Sequence, residues 1–233
     1  MVKRTIGILG GMGPEATILL QQRVMSALPA AKDDGDHIPL LIDMNPQVPS
    51  RIDYLINGQG ANPAPVLAQM AKRLEKAGAS ALAMPCNTAH HFADAIHNAV
   101  DIPFIDMVSL SAKTASQHSK PGDKIGILAS PAVRMTGIFE RALGALDRIT
   151  IWPEPDDHML RAIRLIKKDG AKQESANILK KASEDLAAQG SKVQLLACSE
   201  FSLLSATLQR ANCHIIDTLD VLTQAVIETS MVV

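Results

Sequence analysis

The sequence predicts an α/β protein of two similar lobes, each with a parallel sheet covered by helices. Apolar runs of strand length alternate with longer segments of helical period, which is typical of parallel sheets. The pattern then restarts: TIGILGG (5–11) resembles KIGILAS (124–130), ALAMPCNT (81–88) resembles VQLLACSE (193–200), and IPFID (102–106) resembles CHIID (213–217). Because the three pairs share one order and similar spacing, we interpret them as an internal repeat.

The predicted elements follow this repeat. In the first half we predict strands at 6–9, 39–43, 79–84 and 104–105, and helices at 14–28, 66–76, 88–100 and near 109. In the second half we predict strands at 124–128, 149–151, 193–197 and 215–216, and helices at 133–146, 157–168, 175–189, 199–209 and 218–228. Pro14 suits a first helical turn, and Gly78 suits a helix end. We expect one lobe at 1–108 with 218–233, and the other at 109–217.

The composition excludes several classes of protein. With 233 residues, 47% hydrophobic and 20% charged, the chain can bury a normal core. A net charge of -1 and 3% aromatic residues argue against nucleic-acid binding. No apolar run has the length of a membrane span, which needs about 20 residues. The odd cysteine count, three, does not favour a disulfide framework, so we expect a reducing cytoplasm.

Two cysteines occupy equivalent places in the repeat. Cys86 and Cys198 each end a predicted parallel strand and directly precede a helix. Ligands bind at that edge of open α/β sheets, and a helix N-terminus favours a thiolate. Two bases on opposite sides of one carbon are what racemisation requires. The alternative is that both are buried structural cysteines, which is the interpretation we give Cys213.

A Gly-rich turn, GGMGPEA (10–16), follows the first strand. Its backbone N–H groups could hold a substrate carboxylate, or the glycines could serve the turn alone. Gly11-x-Gly13-x-x-Ala16 also matches a dinucleotide-binding fingerprint, with Asp43 as a possible ribose ligand. Two observations argue against a dinucleotide: the negative charge of Glu15 in the first helical turn would repel a pyrophosphate, and the second repeat lacks the glycines.

Other candidates carry weaker signals. In the loop NPQVPSR (45–51), Arg51 could make a bidentate contact to a carboxylate, or could simply be exposed. Lys168 could bind substrate or merely complement a helix C-terminus before Gly170. His90 and His91 are adjacent on one helix and cannot face the same ligand, so we predict no metal site. We interpret the acidic segment Glu154–Asp157 as a solvated loop.

These motifs together resemble the aspartate/glutamate racemase superfamily, and most of all its aspartate racemase branch. The matching segments are GGMGPEAT (10–17), NPQVPSR (45–51), MPCNTAH (84–90) and CSE (198–200), followed by PFID and IIDT. The resemblance runs nearly end to end. It implies two Rossmann-like lobes related by a pseudo-two-fold axis, with the active site between them. It also implies a homodimer and no cofactor.

The resemblance assigns roles to residues of this chain. Cys86 and Cys198 would be the two catalytic bases, acting on L- and D-aspartate or another small acidic amino acid. Arg51 and Lys168, with Lys167 as a neighbour of similar position, would hold the side-chain carboxylate. The α-carboxylate would be held by the turn at Gly11 and Met12 and by Asn87, Thr88 and Ser199. Ser130, at the equivalent place in the second repeat, would contribute as well. The same motifs add three further candidate substrate-binding residues: Asn45, Gln47 and Glu200.

One departure from the family pattern concerns the second cysteine. The usual Gly-Cys-Thr-Glu is here Ala197-Cys198-Ser199-Glu200. Serine keeps the hydroxyl, whereas alanine adds a methyl group that bears on substrate choice between aspartate, glutamate and a broader range. Two other hypotheses remain open: a nucleotide-dependent oxidoreductase using the Gly-rich turn, and a non-catalytic two-lobe protein that binds acidic ligands.

Overall fold

The chain forms two compact units. The structure, a computed structural model, describes residues 3–155, 157–208 and 213–231. The first unit contains the described residues up to Met107 and those from Leu219 onward. The second contains the described residues from Val108 to Thr218.

Each unit contains a parallel sheet. The strands of the first are β1 (Ile6–Gly10), β2 (Leu40–Met44), β3 (Ala81–Ala83) and β4 (Phe104–Ile105), in the order β2-β1-β3-β4. Those of the second are β5 (Lys124–Leu128), β6 (Ile149–Ile151), β7 (Val193–Leu196) and β8 (His214–Asp217), in the order β6-β5-β7-β8. All pairings are parallel. The predicted fold class, α/β with two similar parallel sheets, is confirmed.

The helices follow the strands in chain order. Up to β5 they are α1 (Pro14–Ser26), α2 (Arg51–Leu55), α3 (Ala64–Lys76), α4 (Ala93–His97) and α5 (Met107–Gln117), with 3-10 turns at Asp34–Asp36 and Thr88–Phe92. After β5 they are α6 (Pro131–Thr136), α7 (Ile138–Gly144), α8 (Asp157–Asp169), α9 (Gln173–Ala188), α10 (Ser199–Ser202), α11 (Ser205–Leu208) and α12 (Thr218–Met231). α12 returns to the first unit, where Ser230 Oγ donates to the Arg4 carbonyl at 2.6 Å.

Equivalent amphipathic helices build the two cores. α3 buries residues 67, 70, 71 and 74, and α8 buries residues 159, 162, 163 and 166. Both sets have the i, i+3, i+4, i+7 spacing of one helix face. The central strand β1 is buried along its whole length, as expected for a parallel strand covered on both faces.

Three predicted helices are interrupted. The one predicted at 88–100 begins as a 3-10 turn, because the His90 ring takes the Cys86 carbonyl that an α-helix would pair with the His90 N–H. That N–H instead reaches the Asn87 carbonyl at 3.1 Å. The helix predicted at 133–146 is broken by Gly137 at φ +63°. The one predicted at 199–209 is split into α10 and α11, and its last residue lies outside the described residues.

The Gly-rich turn after β1 is fixed by its own neighbours. Gly11 has φ +89°, and a Cβ there would lie 2.4 Å from the carbonyl carbon of Asn45. The Gly11 N–H donates to Thr17 Oγ1 at 3.0 Å, and the Thr17 hydroxyl in turn donates to the Gly13 carbonyl at 3.3 Å. The turn therefore requires glycine for both its dihedral angle and its close approach to the next loop.

We expect Gly11→Ala to lower the free energy of unfolding by roughly 2–5 kcal/mol, because backbone strain and overpacking add. Urea unfolding measures this loss. Gly78→Ala is the matched control, since Gly78 has φ +99° but open space where its Cβ would be. Equal losses in the two variants would show that the contact with Asn45 imposes no constraint.

Candidate active site

Both cysteines lie at the point where the strand order of their sheet reverses. In the first sheet β1 and β3 are neighbours, and the chain leaves them toward β2 on one side and β4 on the other. Ligands of open α/β folds bind outside the carboxyl ends of strands at such a point. The Gly-rich turn follows β1, and Cys86 follows β3. In the second sheet Ser130 follows β5, and Cys198 follows β7.

Cys86 is buried in a turn held by its own backbone. It is 6% exposed, and its N–H donates to the Met84 carbonyl at 2.9 Å. Asn87, also buried, occupies the N-cap position of the 3-10 turn without a side-chain capping hydrogen bond, and the turn starts at the partly exposed Thr88. The polar residues predicted beside Cys86 thus lie where the strand ends and the helical turn begins.

Two further segments contact this turn within the first unit. Met12 of the Gly-rich turn, Val48 of the 45–51 loop and Cys86 belong to one buried cluster. Tyr54 on α2 lies against Phe92 of the 3-10 turn, with ring centroids 5.8 Å apart. Three segments separated in sequence are therefore assembled into one half-site.

Arg51 presents an unused donor in this half-site. It is the first residue of α2, and its Nη1 donates to the Pro49 carbonyl at 3.0 Å and the Val48 carbonyl at 3.3 Å. Its Nε is buried and has no hydrogen-bond partner among the described protein groups. A buried donor without a partner is costly, so this edge of the guanidinium suits a carboxylate ligand.

Cys198 lies in a chain of polar contacts in the second unit. Its thiol donates to Glu200 Oε2 at 3.0 Å, and Lys167 Nζ lies 3.1 Å from Glu200 Oε1. Burial raises the pKa of the Cys198 thiol well above its usual value, and the charge of Glu200 raises it further. The positive charge of Lys167 lowers the pKa of this thiol, but by less.

The expectation that a helix N-terminus favours the thiolate is wrong for Cys198 in this structure. α10, which follows it, has only four residues, so few peptide dipoles are aligned. A carboxylate directly faces the sulfur instead. Cys198 is therefore a protonated thiol, suited to donating a proton.

Comparison with known proteins identifies the family. The profile of the Asp/Glu/hydantoin racemase family matches residues 9–226. The chain belongs to this family. A curated relative, the broad specificity amino-acid racemase RacX of Bacillus subtilis (strain 168), is 28% identical over 166 residues, which is 68% of this chain and 70% of the relative.

Solved structures of racemases share the fold. Aspartate racemase from Picrophilus torridus has a TM-score of 0.85 at 24% identity, covering 97% of this chain and 94% of that one. An aspartate racemase homologue from Pyrococcus horikoshii OT3 has a TM-score of 0.74 at 20% identity, covering 99% of both chains. Glutamate racemase from Francisella tularensis subsp. tularensis SCHU S4, in complex with D-glutamate, has a TM-score of 0.68 at 16% identity, covering 98% of this chain and 81% of that one.

Several predicted residues of this racemase-family protein have local roles. Asn45 Oδ1 accepts the Gln47 N–H at 3.0 Å, and the Gln47 side chain is exposed. Ser130 Oγ caps α6 by accepting the Val133 N–H at 3.4 Å. Ser199 is buried as the first residue of α10. The Gly11 N–H is taken by Thr17, so the prediction that this N–H binds the substrate is not supported.

Lys167, not Lys168, contacts the Cys198–Glu200 pair. Adjacent helical residues point about 100° apart, so Lys168 on α8 does not share the direction of Lys167, although both side chains are exposed. Sequence analysis preferred Lys168 for its place before Gly170. The useful signal was instead the helical spacing, since Lys167 stands four residues after the buried Ile163.

The dinucleotide interpretation has no support in the racemase fold of this chain. Asp43, the candidate ribose ligand, accepts two hydrogen bonds from Arg73, at 3.0 Å from Nε and 2.6 Å from Nη2. The space beside Gly11 is filled by the Asn45 backbone rather than left open for a phosphate. The glycine pattern thus serves the turn.

The remaining sequence candidates lie elsewhere. His90 is buried and His91 is exposed, and no three potential metal-binding side chains cluster among the described residues. Cys213 Sγ lies 3.8 Å from Ser183 Oγ. Glu154 is exposed and paired with Arg134 at 2.7 Å, whereas Asp156 lies outside the described residues. Within the described ranges no helix is long and apolar enough to span a membrane.

Sequence analysis missed two polar residues that hold the half-site of Cys86. Thr17 closes the Gly-rich turn, and its signal was a hydroxyl in the first turns of the helix that follows the glycines. His90 was considered only as a metal ligand, yet its ring bonds to the backbone of the cysteine turn.

We expect Glu200→Gln to lower the pKa of the Cys198 thiol, because an amide keeps a hydrogen-bond acceptor but removes the negative charge. Lys167→Met should raise that pKa, and Lys168→Met should leave it unchanged. The measurement is the pH dependence of iodoacetamide alkylation in a Cys86→Ser, Cys213→Ser background. An unchanged alkylation profile in Glu200→Gln would contradict the electrostatic role of Glu200.

Proposed function

We propose that this protein is a cofactor-independent racemase that interconverts L- and D-aspartate. Two cysteines at equivalent positions of two topologically identical sheets carry the proposal. A reaction that removes a proton from one face of a carbon and returns one to the other needs two such bases. Membership of the Asp/Glu/hydantoin racemase family supports the reaction class.

In the proposed mechanism Cys86 and Cys198 act on opposite faces of the substrate Cα. Cys86 begins as the thiolate and takes the α-proton. The electron pair of the broken C–H bond is delocalised into the α-carboxylate, which hydrogen-bond donors at the strand ends stabilise. The Cys198 thiol then delivers its proton to the opposite face. The reverse direction exchanges the two roles.

The contacts of Cys198 suit the role of resting acid. Its thiol is protonated and donates to Glu200 before reaction. Once its proton is transferred, the sulfur carries negative charge beside the Glu200 carboxylate. Lys167, 3.1 Å from that carboxylate, limits the repulsion.

Aspartate is proposed because of the donors placed to receive a side-chain carboxylate. The buried Nε of Arg51 lacks a hydrogen-bond partner among the described protein groups, and Lys167, paired with Glu200, adds a positive charge near the second cysteine. The family pattern that this chain resembles has glycine where the buried Ala197 stands, and we infer that the added methyl group beside Cys198 favours the shorter acidic amino acid. A homodimer, implied by the family resemblance, and a cytoplasmic setting, expected from the cysteine count, belong to the same proposal.

Proton NMR of L- and D-aspartate in D2O, with reduced protein and no added cofactor, tests the function. We expect the α-proton signal to disappear and the opposite enantiomer to form. Exchange with glutamate, other amino acids or hydantoins, but not aspartate, would overturn the substrate assignment. No exchange with any of them would overturn the racemase function.

Cys86→Ser and Cys198→Ser should each reduce interconversion by at least about 100-fold, because each removes one acid/base group. Chiral chromatography of the products measures this, and Cys213→Ser is the control that should retain activity. Near-wild-type racemisation by either of the first two variants would refute the two-base mechanism.

Arg51→Lys should raise the KM for aspartate roughly 10- to 100-fold, because lysine cannot provide a bidentate, charge-assisted contact. Any residual activity on alanine should be unaffected, since alanine has no side-chain carboxylate. An unchanged KM for aspartate would remove Arg51 from the substrate site.

A further inference from the structure

The ring of His90 joins the Cys86 turn to the end of β4. Its Nδ1 lies 2.8 Å from the Cys86 carbonyl oxygen, and its Nε2 accepts the Met107 N–H at 3.2 Å. Because Nε2 accepts a hydrogen bond, Nδ1 must carry the ring proton, and its N–H donates to the Cys86 carbonyl. These two bonds define a single neutral tautomer.

The surroundings of His90 favour this neutral form. The side chain is 2% exposed and lies against the Phe104 ring, with centroids 5.3 Å apart. Burial lowers the pKa of His90, while the Cys86 carbonyl and the Asp106 carboxylate act against that shift. Asp106, the charged group facing the ring, lies 4.0 Å from Nε2. A proton on Nε2 would point at the Met107 N–H, and the hydrogen bond between Met107 and Nε2 would be lost.

The second lobe makes the equivalent connection with different groups. Ser202 stands four residues after Cys198, as His90 stands four after Cys86. The Ser202 hydroxyl donates to Asp217 Oδ1 at 2.7 Å, at the end of β8, and both residues are buried. A serine hydroxyl does not titrate near neutral pH, so this link lacks the protonation step available to His90.

We propose that His90 is a positioning residue for Cys86. Its Nδ1–H···O=C bond holds the cysteine turn, and its Nε2 bond from the Met107 N–H, which a second proton on the ring would break, anchors the ring. The two half-sites then differ: the Cys86 side depends on a neutral histidine, and the Cys198 side does not. This inference rests on the proposed racemase function for its kinetic readout, whereas the link between His90 and Cys86 can be tested without turnover.

The kinetic test is the pH dependence of α-proton exchange in D2O, measured separately for L- and D-aspartate. Cys86→Ser identifies which enantiomer Cys86 deprotonates. His90→Gln keeps a donor and an acceptor but does not titrate. For the enantiomer assigned to Cys86, the ratio of the His90→Gln exchange rate to the wild-type rate should rise as the pH falls below the ordinary histidine range. The ratio for the other enantiomer should stay constant.

Two further variants separate positioning from general loss of structure. His90→Leu removes both bonds and should slow exchange of the Cys86 enantiomer by about 100-fold, since misplacement of a base by about 1 Å has that effect. His91→Gln, at the exposed neighbouring residue, is the matched control and should leave both rates unchanged. Equal pH behaviour of both enantiomers in His90→Gln would overturn the proposal.

The structural test uses the wild-type protein labelled with 13C at cysteine carbonyls and 15N in histidine rings. We expect His90 as the Nδ1–H tautomer, and a Cys86 carbonyl shift that titrates together with it. That shift should be independent of pH in His90→Gln. If the wild type exchanges no amino acid, the racemase proposal fails while this titration still decides the link, and a Cys86 carbonyl insensitive to His90 overturns it.

Discussion

The parallel pairing of the first strand of each lobe with the third determines where the chemistry can occur. β1 pairs with β3 and β5 with β7, so the loops that follow these strands open side by side at one sheet edge. Because the chain leaves the two strands in opposite directions, the edge between them is not covered by a crossover connection. Cys86 and Cys198 occupy this place in their respective lobes.

The two half-sites share a topology but differ in electrostatics. Cys198 faces a carboxylate paired with Lys167, and that arrangement keeps its proton on sulfur. Cys86 is instead held through backbone contacts, including the carbonyl that His90 engages. The proposed reaction begins with one acid and one base, and it would benefit from this difference because identical environments would not distinguish the two sulfurs.

Much of the architecture was predictable because it depends on period and repetition. The apolar strands, the i, i+3, i+4, i+7 helices and the equivalence of Cys86 with Cys198 follow from local pattern alone. Of the three predicted helices that are interrupted, one is broken by a side chain and one by a glycine. His90 competes for a backbone carbonyl, and Gly137 adopts a positive φ, and neither event leaves a periodic signal.

The sequence by itself determined the family, the two-lobe α/β class and the equivalent positions of the two cysteines, since these depend on residue identity and order. Tertiary structure decided which groups surround each sulfur. Lys167 rather than Lys168 contacts Glu200 because of the rotation of α8, and Gly11 needs its small size because the Asn45 backbone lies against it. Contacts between residues distant in sequence depend on packing directions, which a one-dimensional pattern does not contain.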